Sequence, residues 1–91
     1  MIYSINYDLH RPGQNYTELY EAIKKLGDWW HYLESTWLVD TSLNANQIFQ
    51  RLKPSLDSND SVLIVKFGTD YSGWLTQDAW NWINSRTRAA A

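Results

Sequence analysis

The chain has 91 residues, with eight Lys and Arg against ten Asp and Glu, two His, no Cys and a formal charge of −2. That is enough for one domain around one hydrophobic core, and it excludes a disulfide framework, a cysteine-based zinc site and a thiol nucleophile. The cations are scattered and outnumbered, so the basic patch of a duplex-binding surface is missing.

No apolar stretch reaches transmembrane length, and no basic segment precedes an apolar one at the N-terminus. The expectation is a cytoplasmic protein without a membrane partner. Six Trp, six Tyr and two Phe supply large buried areas, worth on the order of 25 cal/mol per Å² of apolar surface. So many rings exceed the needs of one small core. Trp and Tyr are favoured at interfaces, which points to a homodimer.

In chain order, "IYSINYD" (2–8) alternates, with Tyr3, Ile5 and Tyr7 on one side and Ile2, Ser4 and Asn6 on the other, the pattern of a strand. Pro12-Gly13 breaks the chain. Asn15 and Glu18 have the spacing of a capping box. Tyr16, Leu19, Tyr20, Ile23 and Leu26 then mark one face of a helix that stops at Gly27, with Glu21 and Lys25 spaced to pair on its wet side.

Residues 28–41, "DWWHYLESTWLVDT", are aromatic and β-branched without Gly or Pro. Propensity alone favours one bent strand, because Glu34-Ser35 is poor two-residue turn chemistry. "NANQIFQRLK" (44–53) reads as a second helix with a capping box from Asn44 to Gln47, stopped by Pro54. Asp57 to Asp60 reads as a polar turn. "SVLIVKF" (61–67) is continuously apolar at its centre, as in a strand covered on both faces or paired centrally. After a loop from Gly68 to Gly73, "WLTQDAWNWINS" suggests a C-terminal helix with Leu75, Ala79, Trp82 and Ile83 inward.

Two helices need a sheet face to cover, and a hairpin in 28–41 supplies the fourth strand. The expected fold is therefore α+β, a ferredoxin-like βαββαβ sandwich with a short C-terminal helical extension. Residues 1–85 form the single domain, and 86–91 are expected to be a flexible tail.

Asp8 has two readings. It can initiate the turn before Pro12 through local backbone hydrogen bonds. Alternatively it sits at the carboxyl end of an early strand, where a rigid scaffold can hold a metal ligand. One carboxylate is too little for a tight Mg²⁺ site, but a symmetric dimer can bring a second Asp8 beside the first. His10 is placed to act as a general base or phosphate contact, with a solvated loop histidine as the plainer reading. Arg11 is either a phosphate contact or a surface charge. His31, beside two tryptophans, is expected to be packed and hydrogen-bonded. Ser35 has no base in a nearby pattern, and no phosphate-binding glycine loop or dinucleotide fingerprint is present. The six tryptophans lack interleaved basic residues, so core and dimer packing is a better reading of them than a base-stacking platform.

"IYSINYDL", ending in Tyr7-Asp8, the helix that stops at Gly27, and Ser35-Thr36-Trp37 within "ESTWLVDT" together resemble the CRISPR-associated second adaptation protein family over roughly the first three quarters of the chain. The resemblance implies small, dimeric ferredoxin-like proteins with a hairpin in the middle segment, an architecture shared with the virulence-associated protein D toxins. It also implies a metal-dependent nuclease role, across a dimer, for the aspartate matching Asp8. Other members of that family instead bridge DNA as structural dimers. The Pro-Gly-rich first loop, the acidic balance and the Trp-rich tail suggest a branch outside CRISPR loci.

Two functions follow as expectations. One is a nucleic-acid-associated dimeric Mg²⁺-dependent endonuclease acting on RNA or DNA, with Asp8 as metal ligand and catalytic carboxylate, His10 as catalytic partner and Arg11 on the nucleic acid. The other is a non-catalytic homodimeric interaction or scaffold protein.

Overall fold

The structure is a computed structural model, and it describes residues 1–10 and 16–87. The elements are β1 (Ile2–Asp8), α1 (Thr17–Lys24), β2 (Asp28–Leu33), β3 (Thr36–Asp40), α2 (Ala45–Leu52), β4 (Ser61–Lys66) and α3 (Gln77–Thr87), with one 3₁₀ turn at Lys53–Ser55. The strands form one antiparallel sheet in the order β2-β3-β1-β4. This is the ferredoxin-like βαββαβ arrangement with a helix added at its C-terminal side.

The hairpin exists despite its weak turn residues. Leu33 pairs with Thr36 across Glu34-Ser35, and β2 takes up the mismatch in an irregularity between Trp30 and Leu33. At α2 the capping box is complete: the Gln47 N–H donates to Asn44 Oδ1 at 2.8 Å, and the Asn44 N–H donates to Gln47 Oε1 at 2.9 Å. Pro54 then falls inside the 3₁₀ turn that ends the helix. α1 follows Tyr16, which makes no side-chain cap bond; the Asn15 cap lies outside the described residues. Gly27 has φ +157, and a Cβ there would overlap the Asp40 carbonyl oxygen. Only glycine lets the chain enter β2 this close to β3.

Strand alternation divides the apolar residues between two cores. On one face Tyr3, Ile5, Trp37 and Val39 pack against Leu19 and Ile23 of α1 and Ile48 and Leu52 of α2. On the far face Ile2, Trp30 and Leu38 meet Ala79 and Ile83 of α3, with Leu75 and Trp82 packed against them. Arg86 secures α3: its Nη2 lies 3.1 Å from Asp28 Oδ2 and its Nε 3.5 Å from Asp40 Oδ2. The helix continues through Thr87.

β4 corrects one expectation. It is an edge strand rather than a central or doubly covered one. Val62 and Ile64 pack on the first core, whereas Leu63 and Val65 are 63% and 44% exposed. α3 lies along the β2 side of the far face, and Leu63 and Val65 stay outside the core it forms. Among the described residues, no helix is long and apolar enough to cross a membrane.

Candidate functional site

β1 is a central strand, and Asp8 is its last residue, opposite Ser61 of β4. Alternation puts Asp8 on the far face with Ile2, Ser4 and Asn6. Its side chain is exposed. Two residues on, His10 Nε2 lies 3.1 Å from Asp8 Oδ2. A carboxylate so placed orients the imidazole.

The backbone beneath this pair is held by Asp60, at the entry to β4. Asp60 Oδ1 accepts the His10 N–H at 2.9 Å and the Tyr16 hydroxyl at 2.8 Å, and Oδ2 accepts the Asp57 N–H at 2.9 Å. Partial desolvation pushes the Asp60 pKa up. The hydrogen bonds from His10, Asp57 and Tyr16 outweigh it, so the net effect holds the carboxyl below its ordinary value. One carboxylate therefore ties the segment after β1 to the turn before β4.

Beside Asp8 is a depression of about 310 Å³ lined by Asn6, Tyr7, Asp8, Ser61, Val62 and Leu63. Asn6 forms its polar floor. Its Nδ2 donates to Ser4 Oγ at 3.1 Å and to the Leu63 carbonyl at 3.2 Å, and its Oδ1 accepts the Thr36 hydroxyl at 3.0 Å. Both donors and one of the two acceptor sites of the amide are used, which fixes its rotamer.

The other face carries a separate network. The Trp37 indole N–H donates to the Tyr7 hydroxyl at 3.0 Å, and Tyr7 faces the Glu34 carbonyl at 3.5 Å. His31 Nε2 lies 3.2 Å from the same carbonyl, and its ring stacks on Trp37 with centroids 3.9 Å apart. Burial raises the Tyr7 pKa, against the opposing hydrogen bond from Trp37. His31 is thus packed and hydrogen-bonded, on the face opposite Asp8. The structure brings Asp8 and His10 together and leaves His31 apart from them. Arg11 lies outside the described residues.

The donor set bears on a metal. Among the described residues no group of three or more His, Cys, Asp or Glu side chains converges as a metal site. Mg²⁺ prefers oxygen, keeps several waters and takes one or two carboxylates beside phosphate oxygens. Asp8 of one chain offers one such carboxylate in an open position, a partial fit that a second Asp8 would complete.

Fold and site together define a ferredoxin-like α+β domain with an exposed Asp–His pair at the end of a central strand. No family model, no curated protein and no solved structure matches the chain. The functional reading therefore stands on the geometry. Asp60 is the site residue that sequence reasoning missed, having placed it only in a polar turn. Only the register finds it: antiparallel pairing of β1 with β4 sets Asp8 opposite Ser61, and Asp60 precedes Ser61.

Proposed function

We propose that this protein is a homodimeric, cytoplasmic, nucleic-acid-associated phosphodiesterase, a Mg²⁺-dependent endonuclease in which two Asp8 carboxylates share one site. A single observation carries the reading: Asp8 lies on the same sheet face as the exposed Leu63 and Val65. A second copy that covers these apolar side chains also brings its own Asp8 to this region.

The paired Asp8 carboxylates would hold the ion, which when bound lowers the pKa of water and offsets charge on the phosphate. His10, oriented by Asp8, takes the proton from the attacking water. As the new P–O bond forms, the bond to the leaving sugar oxygen breaks, that oxygen takes up a proton from solvent water, and His10 returns its proton to solvent. Arg11 contacts a neighbouring phosphate. The exposed position of Asp8 suits a substrate that is itself a long polymer.

The test is cleavage of single-stranded and duplex RNA and DNA by wild type, Asp8→Asn and His10→Ala, with Mg²⁺ and with a chelator. Metal-dependent cleavage is expected, falling by roughly 10²-fold or more in each variant. Equal activity in wild type and Asp8→Asn refutes catalysis at this site. A dimer that cleaves nothing supports the scaffold reading instead.

A further inference from the structure

Among the described residues the far sheet face is covered over β2, β3 and the start of β1, while the outward side chains of β4 stay exposed. Leu33, Thr36, Asn6 and Leu63 form one row across β2, β3, β1 and β4 by strand register. The row is apolar at both ends and polar in the middle, and its ends lie about 14 Å apart at three strand spacings. At the β2 end Trp74 is fully exposed, beside the exposed Tyr32 and Leu33. It also borders a cavity of about 350 Å³ lined by Ser4 of β1, Trp30 of β2 and Thr36 of β3. At the β4 end Leu63 and Val65 are exposed among the described residues.

We infer that a second copy of this chain covers the exposed part, with Trp74 of each copy seated on Leu63 and Val65 of the other. This rests on the homodimer reading above and specifies which surfaces meet. A two-fold axis lying in the interface, parallel to the strands and midway between β3 and β1, carries the β2 side of one copy onto the β4 side of its partner. The segment around Trp74, at the β2 end of its own sheet, then covers the β4 end of the other sheet. The apolar ends are paired twice, and the Ser4–Asn6–Thr36 strip faces its own copy across the axis. The same operation keeps both Asp8 residues at one end of the interface, on either side of the axis.

A two-fold axis running across the strands instead pairs Trp74 with Trp74. It leaves Leu63 and Val65 in water and sends the two Asp8 residues to opposite ends. Area favours full coverage. Trp74, Tyr32, Leu33, Leu63 and Val65 together expose on the order of 600 Å² at the two ends of the row, and with the polar strip between them this approaches the ~800 Å² per partner of a stable interface.

The chain has no cysteine, so an introduced thiol reports only on the contact it is placed in. Gly73 adjoins Trp74, and a Cβ there meets no atom within 4 Å; Gly73→Cys therefore keeps the tryptophan and the fold. Gly73→Cys and Leu63→Cys are prepared separately and mixed at equal concentration. After exchange they are treated with a short bismaleimide, alongside each variant alone, and wild type is sized by light scattering at roughly 100 µM. The expected result is a wild-type dimer whose mixed variants cross-link at least about tenfold more than either variant alone, with Trp74→Ala weakening the dimer by roughly 30-fold. A dimer in which Gly73→Cys links best to itself, or in which the mixture does not link, overturns this arrangement and leaves the homodimer reading standing. A monomeric wild type overturns both.

Discussion

Replacing Asp60 with alanine is expected to loosen the segment that carries His10, at a cost that depends on pH. The side chain accepts three hydrogen bonds, from the His10 N–H, the Tyr16 hydroxyl and the Asp57 N–H, at 2.8–2.9 Å. Each would be worth up to roughly 2 kcal/mol if sealed from water. The site is largely solvated, and water replaces most of what is lost. The net cost is therefore about 1 kcal/mol, or about 4–8 °C in melting temperature for a domain of this size.

An asparagine does not rescue the variant. Both carboxylate edges accept N–H or O–H donors, and one edge of an amide is itself a donor. Asp60→Asn is expected to fall at least as far as Asp60→Ala. The pH dependence follows from the lowered pKa. The contribution of Asp60 is present above the ordinary carboxylate value of 3.8 and is lost as pH falls through the lowered folded-state value. Urea denaturation of wild type and both variants, at pH 7 and at several points below 4, measures the difference. The gap should be open at pH 7 and close in acid. A gap that does not change with pH, or an Asn variant as stable as wild type, refutes the assignment of Asp60 as a charged clamp.

Gly27→Ala is expected to cost about 3 kcal/mol, from backbone strain at its positive φ and overlap with the Asp40 carbonyl, which strand pairing holds in place. The urea midpoint should drop with an unchanged slope, and a loss below about 0.5 kcal/mol contradicts the close approach. Tyr7→Phe removes the acceptor of the buried Trp37 N–H and is expected to cost about 1–3 kcal/mol at neutral pH. Because burial raises the Tyr7 pKa, the wild-type advantage is complete below pH 10 and shrinks as pH rises through the raised value; denaturation at pH 7 and above pH 10 checks the sign.

Much of the fold was legible because local chemistry and tertiary need agreed. Alternation in β1, the Asn44–Gln47 capping box and Pro54 each mark an element that the structure contains. The β2–β3 turn was legible only from the global requirement for a fourth strand, since Glu34 and Ser35 carry no turn signature of their own. β4 was misread for a definite reason. A run such as Val62-Leu63-Ile64-Val65 has the same composition whether its second face is covered or bare, and only the course of α3 decides. Asp8 and His10 stood out through their position after a strand, and their proximity is local. Asp60 did not, because its link to His10 spans fifty residues and depends on a register that no local pattern encodes.

That long span also governs when the site comes into being. β1 makes its two pairings with strands that follow it, and the contact between the first ten residues and the turn before β4 closes one of the longest loops in the chain. Contacts of this separation are won late in folding, after the entropy of loop closure has been met. A nascent or partly opened chain has Asp8 and His10 in its sequence but no grip on the backbone between them. Because Val62 and Ile64 of β4 share one core with α1 and α2, the Asp60–His10 contact should be lost in the same heat transition as the helical signal.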